Sequence, residues 1–117
     1  MSIDDYINHA ISAGERDGLR SLSGAQQVVY AVAEAEAFCD MNGIDSLIDR
    51  YGIGSLHLFV RAYSAIGAND VANAIEALAS AKGSSEDALS LANRLICERS
   101  GYDYQDIYDY VANHGLT

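Results

Sequence analysis

Between its glycines this chain repeats apolar residues at three- and four-residue spacing, and nowhere does it alternate them. Ile3, Ile7 and Ile11 stand four apart. Val28, Val32, Ala35 and Phe38 follow the same rule, as do Leu56, Phe59, Val60 and Tyr63. A period near 3.6 residues places such positions on one side of a helix, whereas a strand needs a period of two. Composition agrees. The 117 residues contain no proline, a single Thr at position 117 and 18 Ala, which favours helix over sandwich or barrel.

Helix boundaries follow from local chemistry. Ser2 opens a segment with Asp4 and Asp5 in its first turn, and Gly14 and Gly18 are expected to end it. Ser23 with Gln26 has the capping-box spacing, and the run from Gln27 to Met41 meets its stop at Asn42-Gly43. A short helix fits Ile44, Leu47, Ile48 and Tyr51, broken by Gly52 and Gly54. The next closes at Ile66-Gly67. Asn69 is expected to cap a fifth, with Val71, Ala74, Ile75 and Leu78 inward and Gly83 as its stop. Ser84 with Asp87 opens a sixth that carries Leu89, Ala92, Leu95 and Ile96 to Gly101. The last runs from Asp103 through Ile107, Tyr108 and Val111 to Gly115. The expected architecture is all-α: a compact bundle of about six or seven helices, some short, forming one domain over residues 1–117.

Charge excludes some functions. Seven Lys and Arg face 17 Asp and Glu, a formal charge of −10, so direct nucleic-acid binding is not expected. Half the residues are hydrophobic, which separates the chain from disordered acidic tails. No window reaches about 18 consecutive apolar residues, so no membrane span is expected. Residues 1–6 carry two Asp and no basic cluster, and no apolar run follows, unlike a signal peptide. Cys39 and Cys97 lie in apolar helical patterns and read as buried, reduced thiols. A cytoplasmic protein is expected.

Catalytic and metal motifs are missing from the pattern. His9, His57 and His114 belong to no metal-spaced pair, and His57 between Leu56 and Leu58 reads as a partly packed structural side chain. Gly52-Ile53-Gly54 is a bare turn rather than a phosphate loop. The expectation is no catalytic residue, no cofactor and no metal.

The acids divide into two groups. Asp4, Asp5, Asp70, Glu86, Asp87, Asp103 and Asp106 fall at expected helix starts, where the dipole favours negative charge. Of the remainder, Glu36, Asp40, Asp45 and Asp49 surround Asn42-Gly43 as two i, i+4 pairs. Like-charged pairs at that spacing repel mildly, and such rows resemble a phosphate array facing a basic groove. These four are the first candidate partner-binding patch. Asp103, Asp106, Asp109 and Tyr110 form a second, set among Tyr102, Tyr104 and Tyr108, a composition common in interfaces. Tyr104 and Tyr108 are placed to pack inward, with Tyr110 facing another way. Solvated, solubility-maintaining faces explain the same acids.

The stretch from Val29 to Gly43, an alanine-rich acidic helix ending in Asn42-Gly43, resembles the helix before the N-G-G-F signature of a bacterial all-helical family named for a DNA-mimic protein. Ala62-Tyr63-Ser64-Ala65-Ile66-Gly67-Ala68, followed by Ala72, is similar to that family's second hallmark. The resemblance spans about residues 23–81. Leu47 and Ile48 keep its apolar pair. The family's second glycine is missing, and Ile44 stands where its Phe would be, Ser46 where Gln is usual, Arg50 where Asn is typical and Cys39 where an acid is often seen. The resemblance implies an all-helical, acidic, dimeric cytoplasmic protein that offers a DNA-like surface to a DNA-binding regulator. The residues alone leave other roles open: an immunity-type protein neutralising a basic toxin enzyme, or a small-ligand binder or enzyme.

Overall fold

The computed structural model describes residues 1–82 and 84–115. Seven α-helices follow one another: α1 (Ile3–Asp17), α2 (Gly24–Asn42), α3 (Ile44–Tyr51), α4 (Leu56–Ala65), α5 (Asn69–Ser80), α6 (Glu86–Cys97) and α7 (Tyr104–Tyr110). Short 3-10 turns at Leu19–Ser21 and Ile53–Ser55 join neighbours, and a π-helical turn, Val111–Gly115, continues α7. No strand occurs among the described residues. The all-α expectation holds. No helix among those residues is long and apolar enough to cross a membrane.

Helix α2 is the hub. It packs against α1, α3, α4 and α6, while α5 lies between α4 and α6. That position explains its pattern. Val29, Tyr30, Ala31, Val32, Ala35 and Cys39 are all buried, although they cover more than one side of the helix. Val28 and Phe38, expected on a single stripe, are only half-buried. Ala31 and Ala35 are fully buried, and their small side chains let the flanking helices approach closely. Leu47, Leu56, Phe59, Tyr63, Ile75 and Leu78 fill the centre around them.

Several boundaries differ from the expected ones. Gly14 does not end α1; it sits inside the helix, where a Cβ would lie 2.4 Å from the Tyr30 ring. The glycine therefore serves close packing rather than a turn. Ser23 occupies the N-cap of α2 but makes no side-chain cap bond. Instead the Gln27 amide donates to the Leu19 and Leu22 carbonyls, holding the preceding 3-10 turn against the helix. Ala68, not Asn69, is the N-cap of α5. The N-cap of α6 is Ser85, whose hydroxyl accepts from the Ala88 N–H, while Ser84 donates to the Ala81 carbonyl. Gly83 lies outside the described residues; α5 ends before it, with Ala81 as its C-cap.

At Asn42-Gly43 the expectation is met in detail. Gly43 takes φ 85°, a conformation L side chains rarely adopt, and turns the chain from α2 into α3. Lacking a side chain, it cannot cap α3. Asn93 of α6 supplies the cap instead, its Oδ1 accepting from the Ile44 N–H at 2.9 Å.

The cysteines and His57 need correction. Cys39 is buried, with burial pushing its thiol up to about 12, but Cys97 is exposed at the last turn of α6. Both are free thiols. His57 is exposed rather than packed, and its Nδ1 lies 2.8 Å from the Gly54 carbonyl across the second 3-10 turn.

Candidate partner-binding surface

Glu36 is the residue of the first patch whose environment differs most from expectation. Its side chain is 12 % exposed. One carboxylate oxygen accepts from Arg99 Nε at 2.8 Å and from the hydroxyl of buried Tyr102. This ties α2 to the segment between α6 and α7. The Tyr102 hydroxyl is held well above the usual tyrosine range, first by burial and then by its bond to Glu36. Tyr102 packs edge-on against Tyr63, with ring centroids 5.5 Å apart. Glu36 is thus a fold contact, and little of its side chain is left for a partner.

Asp40, Asp45 and Asp49 are exposed around the α2–α3 corner. Asp40 neighbours Cys97 and contributes to holding that thiol above its ordinary value, after burial. Asp45 falls in the first turn of α3, so it shares the helix-start explanation given to seven other acids. It also borders a shallow cleft of about 200 Å³ shared with Leu89, Ser90 and Asn93 of α6.

In the second patch Asp103 and Asp106 are bound to each other's backbone. Asp103 Oδ1 accepts from the Asp106 N–H at 3.2 Å, and Asp106 Oδ2 accepts from the Asp103 N–H at 2.9 Å. This reciprocal box starts α7. Asp109 is exposed and accepts from Gln105 Nε2. Tyr110 is half-buried and lines a pocket with Gly24, Val28 and Leu58, its ring 4.7 Å from that of His114. Tyr104 does not pack inward; it is 57 % exposed, with the Arg99 guanidinium 5.0 Å from its ring centroid.

The structure adds residues that sequence reasoning did not select. Asp4, at the start of α1, accepts a 2.6 Å hydrogen bond from the hydroxyl of Tyr108 on α7. That contact ties the first turn of α1 to the second half of α7. Between α1, α2 and α7 lies an apolar cavity of about 120 Å³, walled by Ile7, Ile11, Val32, Ile107, Tyr104 and Glu36. The Asp4–Tyr108 separation of 104 positions left no local signal in the chain.

Of the 17 acids, 14 are exposed; Glu34, Glu36 and Asp106 are half-buried. Among the described residues, Asp17 and Glu36 pair with arginines, Arg16 and Arg99 respectively. The surface is therefore strongly anionic and sparsely neutralised. Comparison with family models matches residues 20–114 to the model described as DMP19-like protein. The chain belongs to the DMP19-like protein family. This is a family of DNA-mimic type, and the match extends well beyond the 23–81 span of the sequence resemblance. The match does not confirm the N-G-G-F signature, from which this chain departs at Ile44. No curated protein and no solved structure matches the chain.

Proposed function

We propose that this protein is an acidic binding module that occupies the basic, nucleic-acid-binding face of a regulator. The carrying observation is membership of a DNA-mimic family in a chain whose acids are overwhelmingly exposed. Carboxylates three or four residues apart on a helix stand about 5–6 Å from one another, a dense fixed array of negative charge. Such an array attracts a basic groove over long range and competes with phosphates for it. Asp40, Asp45 and Asp49 at the α2–α3 corner form one contact region, by this reading. The α1–α7 edge forms the other, with Asp4, Asp103 and Asp109 as its charge and Tyr104 as an aromatic anchor. Asp106 caps α7 at that edge, while Tyr110 faces the α2 and α4 side of the helix. The setting would be the cytoplasm and the active form the homodimer that the family resemblance implies, with no catalytic step.

The test has two stages. Immobilised protein captures binding partners at low ionic strength, and salt elutes them. Each captured protein is then assayed for duplex-DNA binding with and without this protein. The expected result is a basic DNA-binding protein whose DNA affinity falls in proportion to added module, with binding that weakens steeply as salt rises. Capture of a basic enzyme whose catalysis is blocked, without competition by DNA, would overturn the mimic reading in favour of an immunity role.

A further inference from the structure

Two arginines meet at one cleft of this anionic molecule. The 3-10 turn after α1 and the 3-10 turn after α3 face each other across a cleft of about 260 Å³, and Arg20 and Arg50 both line it. Arg20 Nη2 donates to Ser55 Oγ at 2.6 Å, and Ser55 is itself 2 % exposed. A buried hydroxyl thus fixes one guanidinium while using one of its five N–H donors. Arg50 is held differently, its guanidinium carbon 5.2 Å from the centroid of the Tyr51 ring. Tyr51 is fixed in turn, because its hydroxyl donates to Glu34 at 2.6 Å on the α2 side. The cleft also contains one carboxylate, Asp17, which is already engaged by Arg16 through Nε at 3.1 Å and Nη2 at 2.9 Å. Two guanidiniums therefore line the cleft beside one carboxylate, and that carboxylate is already paired with Arg16. Asp49, next to Arg50 in sequence, does not line the cleft.

We propose that this cleft is an anion site that takes a phosphoryl group. Two orientated guanidiniums match a doubly charged tetrahedral oxyanion, which each can grip through paired N–H donors. A carboxylate would satisfy one arginine and leave the other without its counter-charge. The Ser21 side chain on the cleft wall adds a hydroxyl donor. The volume lies below the range usual for drug-sized ligands and suits a small anionic group. The site is separate from the acidic surfaces of the proposed function and does not rest on that reading.

Inorganic phosphate titrated into the labelled protein, followed by amide and arginine side-chain NMR, tests it. Ionic strength is held constant with chloride. Saturable shifts are expected at Gly18, Ser21, Gly52 and the Arg20 and Arg50 Nε groups. Arg20→Gln and Arg50→Gln are each expected to weaken phosphate binding about tenfold or more, the loss of one charge-assisted contact. Because Arg20 also partners buried Ser55, the exposed Arg50 gives the variant whose folding is not at issue. A second arm uses adenosine monophosphate. Saturation at lower concentration than inorganic phosphate assigns the site to a nucleotide-borne phosphoryl group, and equal saturation assigns it to the free ion. Shifts that grow linearly, that chloride reproduces, or that persist unchanged in Arg50→Gln would overturn the proposal.

Discussion

Replacing Glu36 by Ala separates a structural carboxylate from a recognition carboxylate. Tyr102 is 6 % exposed, and in the variant its hydroxyl loses a charged acceptor inside the fold. A hydrogen bond to a charged group contributes about 1.5–3 kcal/mol. Arg99 is 43 % exposed, so its pair with Glu36 adds only about 0–1 kcal/mol after solvent screening. The expected loss is roughly 2–4 kcal/mol, against a total stability of about 5–15 kcal/mol for a domain of this kind. At this chain length that corresponds to a fall in Tm of roughly 8–16 °C. Urea unfolding followed by circular dichroism measures it. Glu36→Gln keeps a neutral acceptor for Tyr102 and should lose about half as much. Asp49→Asn, on an exposed side chain, should stay within about 0.5 kcal/mol of the parent. A cycle with Tyr102→Phe should return a coupling of about 1–2 kcal/mol, since the two groups touch. If Glu36→Ala unfolds within about 0.5 kcal/mol of the parent, the network does not hold α2 to the α6–α7 segment. Glu36 would then return to the free acids of the corner.

Gly14→Ala should cost about 1–3 kcal/mol in the same unfolding assay, because its Cβ would meet three atoms of the buried Tyr30 ring within 2.5 Å; an unchanged midpoint would refute the close packing. Tyr51, Tyr63 and Tyr102 all have pKa values raised mainly by burial, with bonds to Glu34 and Glu36 acting second on Tyr51 and Tyr102. A raised folded-state value means that their contribution to stability is intact below the unfolded value of about 10 and is lost as pH climbs above it. Tyrosinate absorbance should therefore lag in the native protein and rise together with alkaline unfolding. Cys97 should react with a thiol reagent in the native state and Cys39 only on unfolding, as peptide mapping of the labelled protein would show.

How much of this was legible in the chain varies by residue. The helices were, because apolar spacing and glycine stops act within a few residues of themselves. Gly43 is the clearest case: its place in the sequence and its φ of 85° say the same thing. Gly14 was misread because a glycine looks the same whether it breaks a helix or admits a neighbouring ring, and Tyr30 lies 16 positions away. The candidate surface was legible only as an excess of charge. Asp103 and Asp106 stand three apart, as a capping box requires, yet nothing local distinguishes that role from a recognition row. Glu36 and Asp40 look equivalent on their helix, but one is enclosed by Tyr102 and Arg99 and the other is exposed beside Cys97.

The sequence by itself determined the helical class, the boundaries near Gly18, Gly43 and Gly52, and the net charge of −10, since each depends on local backbone preference or on simple addition. Tertiary structure decided which acids are spent on the fold, which thiol is covered, and that Arg20 and Arg50 meet across one cleft. Several of those outcomes depend on contacts between residues 30 to 104 positions apart, such as Arg20 with Ser55 and Asp4 with Tyr108. Burial, which sets the cost of an unpaired charge and the strength of a paired one, exists only once the helices have closed on one another.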